Sequence, residues 1–231
     1  MNMPAAIKLE MTMFWCAYNL DIDITQVREQ LKHLNNPKFK YAGYDDMCFY
    51  VSDETIKQQG CDAVLNFKIL FNNGFVNGIR FLNMYPGQKY LPHVDSNEQG
   101  FHKDIPIDVQ HPGNINILLS EPVGDTTVWY IDPELRKLWP WAFSNNGDLF
   151  PDNINKNITS ETMGQDKSTL LEVDRFELED NPVLFNTSAH HTIISNDINQ
   201  PRSSACFIFW PYNSWQGIVE AVRAKGLIIE R

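Results

Sequence analysis

Cysteine is scarce in this chain, with four in 231 residues. Cys16, Cys48, Cys61 and Cys206 are scattered and form no C-x-x-C motif. They read as free thiols packed as small hydrophobes, which suits a reducing compartment. Long apolar runs are missing too. No stretch approaches the roughly 20 apolar residues of a membrane span. The N-terminal MNMPAAIKLEMTMFWCAYNLDID is broken by Lys8 and Glu10 and makes a poor signal peptide. The expectation is a cytoplasmic protein with no membrane partner, in which the glycosylation-like triplets at Asn157 and Asn186 are chance matches. Basic excess is absent, since 19 Lys and Arg face 29 Asp and Glu for a net charge of −10. That disfavours nucleic acid as a partner, because a phosphate groove needs concentrated cations. There is no internal repeat, heptad or low-complexity tail.

What is present is an ordinary globular composition, 43% hydrophobic and 21% charged. The length suits one large β-rich domain or two small ones, and no linker divides it. Ile24, Val27, Leu31 and Leu34 fall at helical spacing. Residues 52–60 read as a short helix with Ser52 as cap and Gly60 as stop, and 214–226 as another with Ser214 and Gly226 in those roles. Between them, 64–71, 76–85, 89–95, 114–120, 126–132, 170–178, 182–187, 191–195 and 203–211 read as strands. The Gly124-Asp125 turn predicts a hairpin between 114–120 and 126–132. Such a series of strands with turns between them implies a β-sandwich or jelly roll with helices outside. The expected organisation is a single domain over 1–231. Within it, 1–62 is a helical supporting segment, 63–211 a jelly-roll core and 212–231 a C-terminal helix.

The chain has only six histidines, yet KYLPHVDSNEQGFH (89–102) sets His93 two residues from Asp95. Alternate strand residues share a face, so both side chains can reach one metal ion. An open facial site needs a third ligand from a distant strand, the two-histidine, one-carboxylate arrangement of non-haem Fe(II) oxygenases. His190 and His191 are the candidates. His191 is preferred because it shares a face with Ile193, whereas His190 shares one with Thr192; adjacent strand residues cannot both serve one metal. Further on, Arg202 and Ser204 share a face. A guanidinium with a neighbouring hydroxyl makes a carboxylate receptor.

YPGQKYLPHVD (85–95), FNTSAHHTIISND (185–197) and PRSSACFIF (201–209) together resemble the Fe(II)- and 2-oxoglutarate-dependent dioxygenases. The first segment is similar to the prolyl 4-hydroxylase-like branch. The later ones are similar to small aspartyl/asparaginyl-hydroxylase-like and phage-type members. The resemblance spans roughly 76–210. It implies a mainly β double-stranded β-helix (jelly roll) with flanking α-helices, and Fe(II) held by His93, Asp95 and His191. It also implies 2-oxoglutarate as cosubstrate, with its distal carboxylate on Arg202 and Ser204 and a hydrogen bond from Tyr85. Ascorbate would support turnover. The implied activity is hydroxylation of a C–H bond in a peptide or small-molecule substrate, with release of succinate and CO2. The His-to-Arg spacing is slightly longer than in many members, so NDINQP (196–201) must absorb the extra length. The rivals are a non-catalytic jelly-roll binding module and a cupin-like metal protein that does not use 2-oxoglutarate.

Other features invite plainer readings. His33, His102 and His111 read as solvated or loop histidines. Asn114 and Asn116 share one strand face, either lining a pocket or facing solvent. Trp139, Trp141 and Phe143 form an aromatic knot inside the long 133–168 segment, as core or as a lid. Asp21, Asp23, Asp45 and Asp46 read as solvated charge.

Overall fold

A computed structural model describes residues 16–43, 46–72, 74–86, 111–121, 124–131, 171–187, 191–194, 200–212 and 214–230. The predicted strand at 89–95, the aromatic knot and the residues His93, Asp95, His102 and His190 lie outside them.

Among the described residues, ten strands and four α-helices follow in chain order. They are β1 (Ala17–Asn19), α1 (Thr25–Leu34), β2 (Ala42–Gly43), β3 (Cys48–Val51), α2 (Asp53–Gln58), α3 (Asp62–Leu70) and β4 (Ile79–Met84). Next come β5 (Gly113–Leu118), β6 (Thr126–Ile131), β7 (Leu171–Glu177), β8 (Val183–Asn186), β9 (His191–Ile194), β10 (Arg202–Ile208) and α4 (Trp215–Arg223). The strands form a seven-stranded sheet ordered β1-β8-β5-β10-β4-β3-β2 and a three-stranded sheet ordered β7-β6-β9. All described pairings are antiparallel. From β5 the chain crosses to the small sheet for β6 and β7, returns for β8, crosses again for β9 and returns for β10. That winding is a double-stranded β-helix, a jelly roll with helices on its outer face.

Strand alternation separates the two faces of the large sheet. Ile79 and Phe81 of β4, Ile115 and Ile117 of β5, and Ala205 and Phe207 of β10 join the main core with the buried sides of all four helices. Gly113 shows how close the helix lies, because a Cβ there would sit 2.9 Å from the Phe185 carbonyl and 3.2 Å from Trp215. The caps are as predicted for α2 and α4. Ser52 Oγ accepts from the Thr55 amide and Ser214 Oγ from the Gly217 amide, each at 3.1 Å. Asp23 is more than solvated charge, since its Oδ1 accepts from the Thr25 amide at the start of α1.

Three sequence expectations change. Residues 64–71 are not a strand, because 62–70 form α3. Its β-rich composition also carries helical spacing: Val64, Phe67 and Phe71 face the core, with the Phe67 ring 4.8 Å from that of Phe207. Second, β5 and β6 are not a hairpin, because they lie in opposite sheets. Third, β1, β2 and β3 extend the large sheet although none was read from the sequence. Each is only two to four residues long, too short to show periodicity.

The helix also exposes a buried cation unnoticed in the sequence. Lys68 Nζ lies 2.6 Å from Asp53 Oδ2 and 2.9 Å from the Val76 carbonyl, tying α3 to α2 and to the approach to β4. Burial pushes its pKa down and the Asp53 carboxylate opposes that shift. Lys68→Met keeps the apolar stem but removes the charged donor. It should cost about 2 kcal/mol, typical of hydrogen bonds to a charged group, read as a lower denaturation midpoint at unchanged slope.

A buried polar face between the sheets

On β10, Arg202, Ser204 and Cys206 face away from the helices. Their partners on that face are Met84, Leu82 and Arg80 of β4, with Leu118 and Asn116 of β5 opposite Ser204 and Cys206. From the other sheet, Trp129 of β6 packs with Leu118, Val183 and Phe185, so its face of β6 points inward. His191 pairs with Trp129 and Ile193 with Thr127, which puts both on that inward face. The His191 and Trp129 rings lie 6.4 Å apart. Trp129 is fixed by its indole N–H, which donates to the Asn186 carbonyl at 2.8 Å. His191 thus enters the inter-sheet space from the small sheet, and Arg202 and Ser204 enter it from the large one.

Arg202 is 2% exposed. Its Nε lies 3.2 Å from Oδ2 of Asp125, a residue 0% exposed and one position before β6. The two atoms form an ion pair without the alignment of a hydrogen bond. Nη1 lies 3.4 Å from the Met84 sulfur. Ser204 Oγ is buried and, among the described residues, has no hydrogen-bond partner. A buried polar atom of that kind costs free energy unless a ligand or water completes it.

Asn114 and Asn116 are buried on this same inner face, which rules out their solvent-facing reading. The Cys206 thiol donates to Asn116 Oδ1 at 2.6 Å, and Asn116 Nδ2 donates to Asn114 Oδ1 at 3.1 Å. His111 lies in the loop just before β5, as read from the sequence, but it is buried at 1% exposed, and its carbonyl accepts from the Thr187 hydroxyl at 2.7 Å. His33 is exposed, as read from the sequence. Tyr85 is set apart from the buried group. It is 64% exposed and follows Met84 by one residue, so strand alternation turns it away from the face of Arg202.

Asp125 is the residue that sequence reading missed. Gly124-Asp125 reads as an ordinary turn, and Gly124 does adopt a positive φ of 76°. The available signal was parity, because Asp125 falls in step with Thr127 and Trp129. Among the described residues no cluster of three metal-capable side chains occurs. His93 and Asp95 lie outside those residues.

No protein-family model matches the chain, and no curated protein sequence matches it significantly. Among solved structures it is similar to a prolyl-4-hydroxylase from Pseudomonas putida, at 12% identity and a TM-score of 0.41 over 90% of this chain and 98% of that one. It is also similar to the viral collagen prolyl hydroxylase vCPH from Paramecium Bursaria Chlorella virus-1, at 10% identity and a TM-score of 0.39 over 87% of this chain and 99% of that one. A third is SnoK, a non-heme alpha ketoglutarate dependent carbocyclase from nogalamycin biosynthesis, at 10% identity and a TM-score of 0.49 over 90% and 83%. At such distance the residues of this chain have to carry any functional assignment by themselves. Among the described residues, no helix is long and apolar enough to cross a membrane.

Proposed function

We propose that this protein is an Fe(II)- and 2-oxoglutarate-dependent oxygenase that hydroxylates a C–H bond of a peptidyl residue or small metabolite, releasing succinate and CO2. The observation that carries the reading is the buried pair on β10, a guanidinium beside a hydroxyl that has no hydrogen-bond partner among the described residues, with an inward histidine on the opposite sheet. Asp125, which touches Arg202, lies four positions before Trp129 of β6, which pairs with His191. At about 3.3 Å per residue that is roughly 13 Å of strand. The span leaves room for a five-carbon dicarboxylate between a metal on His191 and the Arg202 side chain.

In this reading His93, Asp95 and His191 hold the iron, and Arg202 and Ser204 hold the distal carboxylate of 2-oxoglutarate. Bound iron would supply dioxygen activation coupled to oxidative decarboxylation of the cosubstrate. The chain's own task is to fix the dicarboxylate at its far end, so that its keto acid end meets the metal in one orientation. Burial of Arg202 and Ser204 keeps water off those contacts and strengthens them. Trp129, clamped through its indole N–H, walls His191 and limits the ring's freedom.

Incubation with Fe(II), ascorbate and 2-oxoglutarate should yield succinate, and mass spectrometry of products should show a gain of one oxygen. Absence of 2-oxoglutarate binding would sink the reading. It would favour a non-catalytic jelly roll in which Arg202 and Asp125 only tie the two sheets together. Ser204→Ala should weaken 2-oxoglutarate binding modestly, by about 1 kcal/mol or fivefold, as one neutral hydrogen bond to the carboxylate is lost. Titration followed by calorimetry checks it.

A further inference from the structure

The inter-sheet space holds a second buried hydroxyl besides that of Ser204. It belongs to Thr127 on β6, which is 2% exposed and likewise lacks a hydrogen-bond partner among the described residues. We propose that Thr127 is a further ligand-binding residue, whose hydroxyl meets from the small sheet the same distal carboxylate that Ser204 meets from the large one. The inference rests on the reading above that a dicarboxylate lies between the sheets. It needs nothing of the edges of the Arg202 guanidinium.

Thr127 is in step with Trp129 and so points inward. Its neighbours on that face of the small sheet are Ile193 of β9 and Phe176 of β7, both buried. Ser204 is flanked on its own face by Leu82 and Leu118. Each hydroxyl is therefore bordered by hydrocarbon on its own sheet. Burying a hydroxyl without a hydrogen bond costs free energy, and a valine of the same branched shape would avoid that cost at position 127. The two strands also advance together. At one end Arg202 Nε lies 3.2 Å from Asp125 Oδ2. Further on, the Trp129 ring lies 5.4 Å from that of Phe185, which pairs with Asn114, the partner of Ile208. Thr127 thus comes level with the part of β10 that begins at Ser204. At about 3.3 Å per residue, it stands roughly 7 Å of strand from Asp125 and from Trp129 alike. A carboxylate has lone pairs enough to accept from both hydroxyls at once. The competing occupant is an ordered water bridging them.

The test is calorimetry on the full chain loaded with Fe(II) under nitrogen. The ligands are 2-oxoglutarate and 2-oxobutyrate, which keeps the keto acid end but lacks the distal carboxylate. Thr127→Val should weaken 2-oxoglutarate by about fivefold, the loss of one neutral hydrogen bond, and leave 2-oxobutyrate within about twofold of the parent. Thr127→Ser keeps the hydroxyl without the methyl and should bind 2-oxoglutarate within about twofold of the parent. Without ligand, the valine variant should melt at or above the parent temperature, because an unpartnered buried hydroxyl has been removed. Should the valine variant fail to fold, Thr127→Ala compared with Thr127→Ser reads the same hydroxyl. Unchanged or tighter 2-oxoglutarate binding in Thr127→Val overturns the inference. A valine variant that melts below the parent would assign the hydroxyl to a structural water. Equal weakening of both ligands would assign it to the shape of the pocket, and a serine variant as weak as valine would assign the effect to the methyl group. Each of these removes Thr127 from the ligand and leaves the cosubstrate reading in place. A parent protein that binds no 2-oxoglutarate would instead remove the proposed function.

Discussion

Arg202→Ala should weaken 2-oxoglutarate binding by at least about tenfold, since in the proposed site the guanidinium supplies charge-assisted hydrogen bonds worth roughly 1.5–3 kcal/mol. Iron binding should stay near the parent level, because the proposed metal ligands His93, Asp95 and His191 come from other segments. The same change leaves Asp125 buried at 0% exposure opposite a cavity. Breaking a buried ion pair from one side costs about 3–5 kcal/mol. A lower melting temperature should therefore accompany the lost affinity. The double variant Arg202→Met with Asp125→Leu separates the two effects: an apolar pair of similar volume should restore stability without restoring 2-oxoglutarate binding. Arg202→Lys should recover only part of the affinity, because an ammonium keeps the charge but not the planar fork. Unchanged 2-oxoglutarate affinity in Arg202→Ala would put the distal carboxylate elsewhere.

The second large effect belongs to the metal. His93→Ala, Asp95→Ala and His191→Ala should each remove most Fe(II) binding and lower turnover by at least about 100-fold, given that groups merely supporting a ligand already cost 10- to 100-fold. His190→Ala should be mild. His191 is inward beside Trp129, and a neighbour on the same strand would face the other way. Iron content and succinate release, measured on all four variants, check the assignment. Stoichiometric iron in His191→Ala together with loss in His190→Ala would move the ligand by one residue.

Much of the fold follows from local pattern. The helical stripe of Val27, Leu31 and Leu34 and the capping serines Ser52 and Ser214 appear in the structure where the sequence puts them. Period-two alternation on β10 grouped Arg202 with Ser204, and on β9 it grouped His191 with Ile193, before any partner strand was known. Such groupings need only the geometry of one strand.

Other features depend on contacts far apart in the chain. Helix α3 carries residues that suit strand or helix equally, and its packing of Phe67 on Phe207 decided the matter. Turn chemistry at Gly124-Asp125 is the same whether the next strand pairs with the last or crosses to another sheet. Only the pairing of β6 with β7 and β9 distinguishes them.

Sequence by itself determined that this chain is a mainly β protein with helices toward both ends, and which side chains share a strand face. Tertiary structure alone decided which of those faces is inside. A lone strand has two equivalent sides, and the choice is made when one of them is covered. Here helices cover one face of the large sheet, and the small sheet covers the other. That second covering buries Arg202 against Asp125, a pairing of residues 77 positions apart that no local pattern could announce.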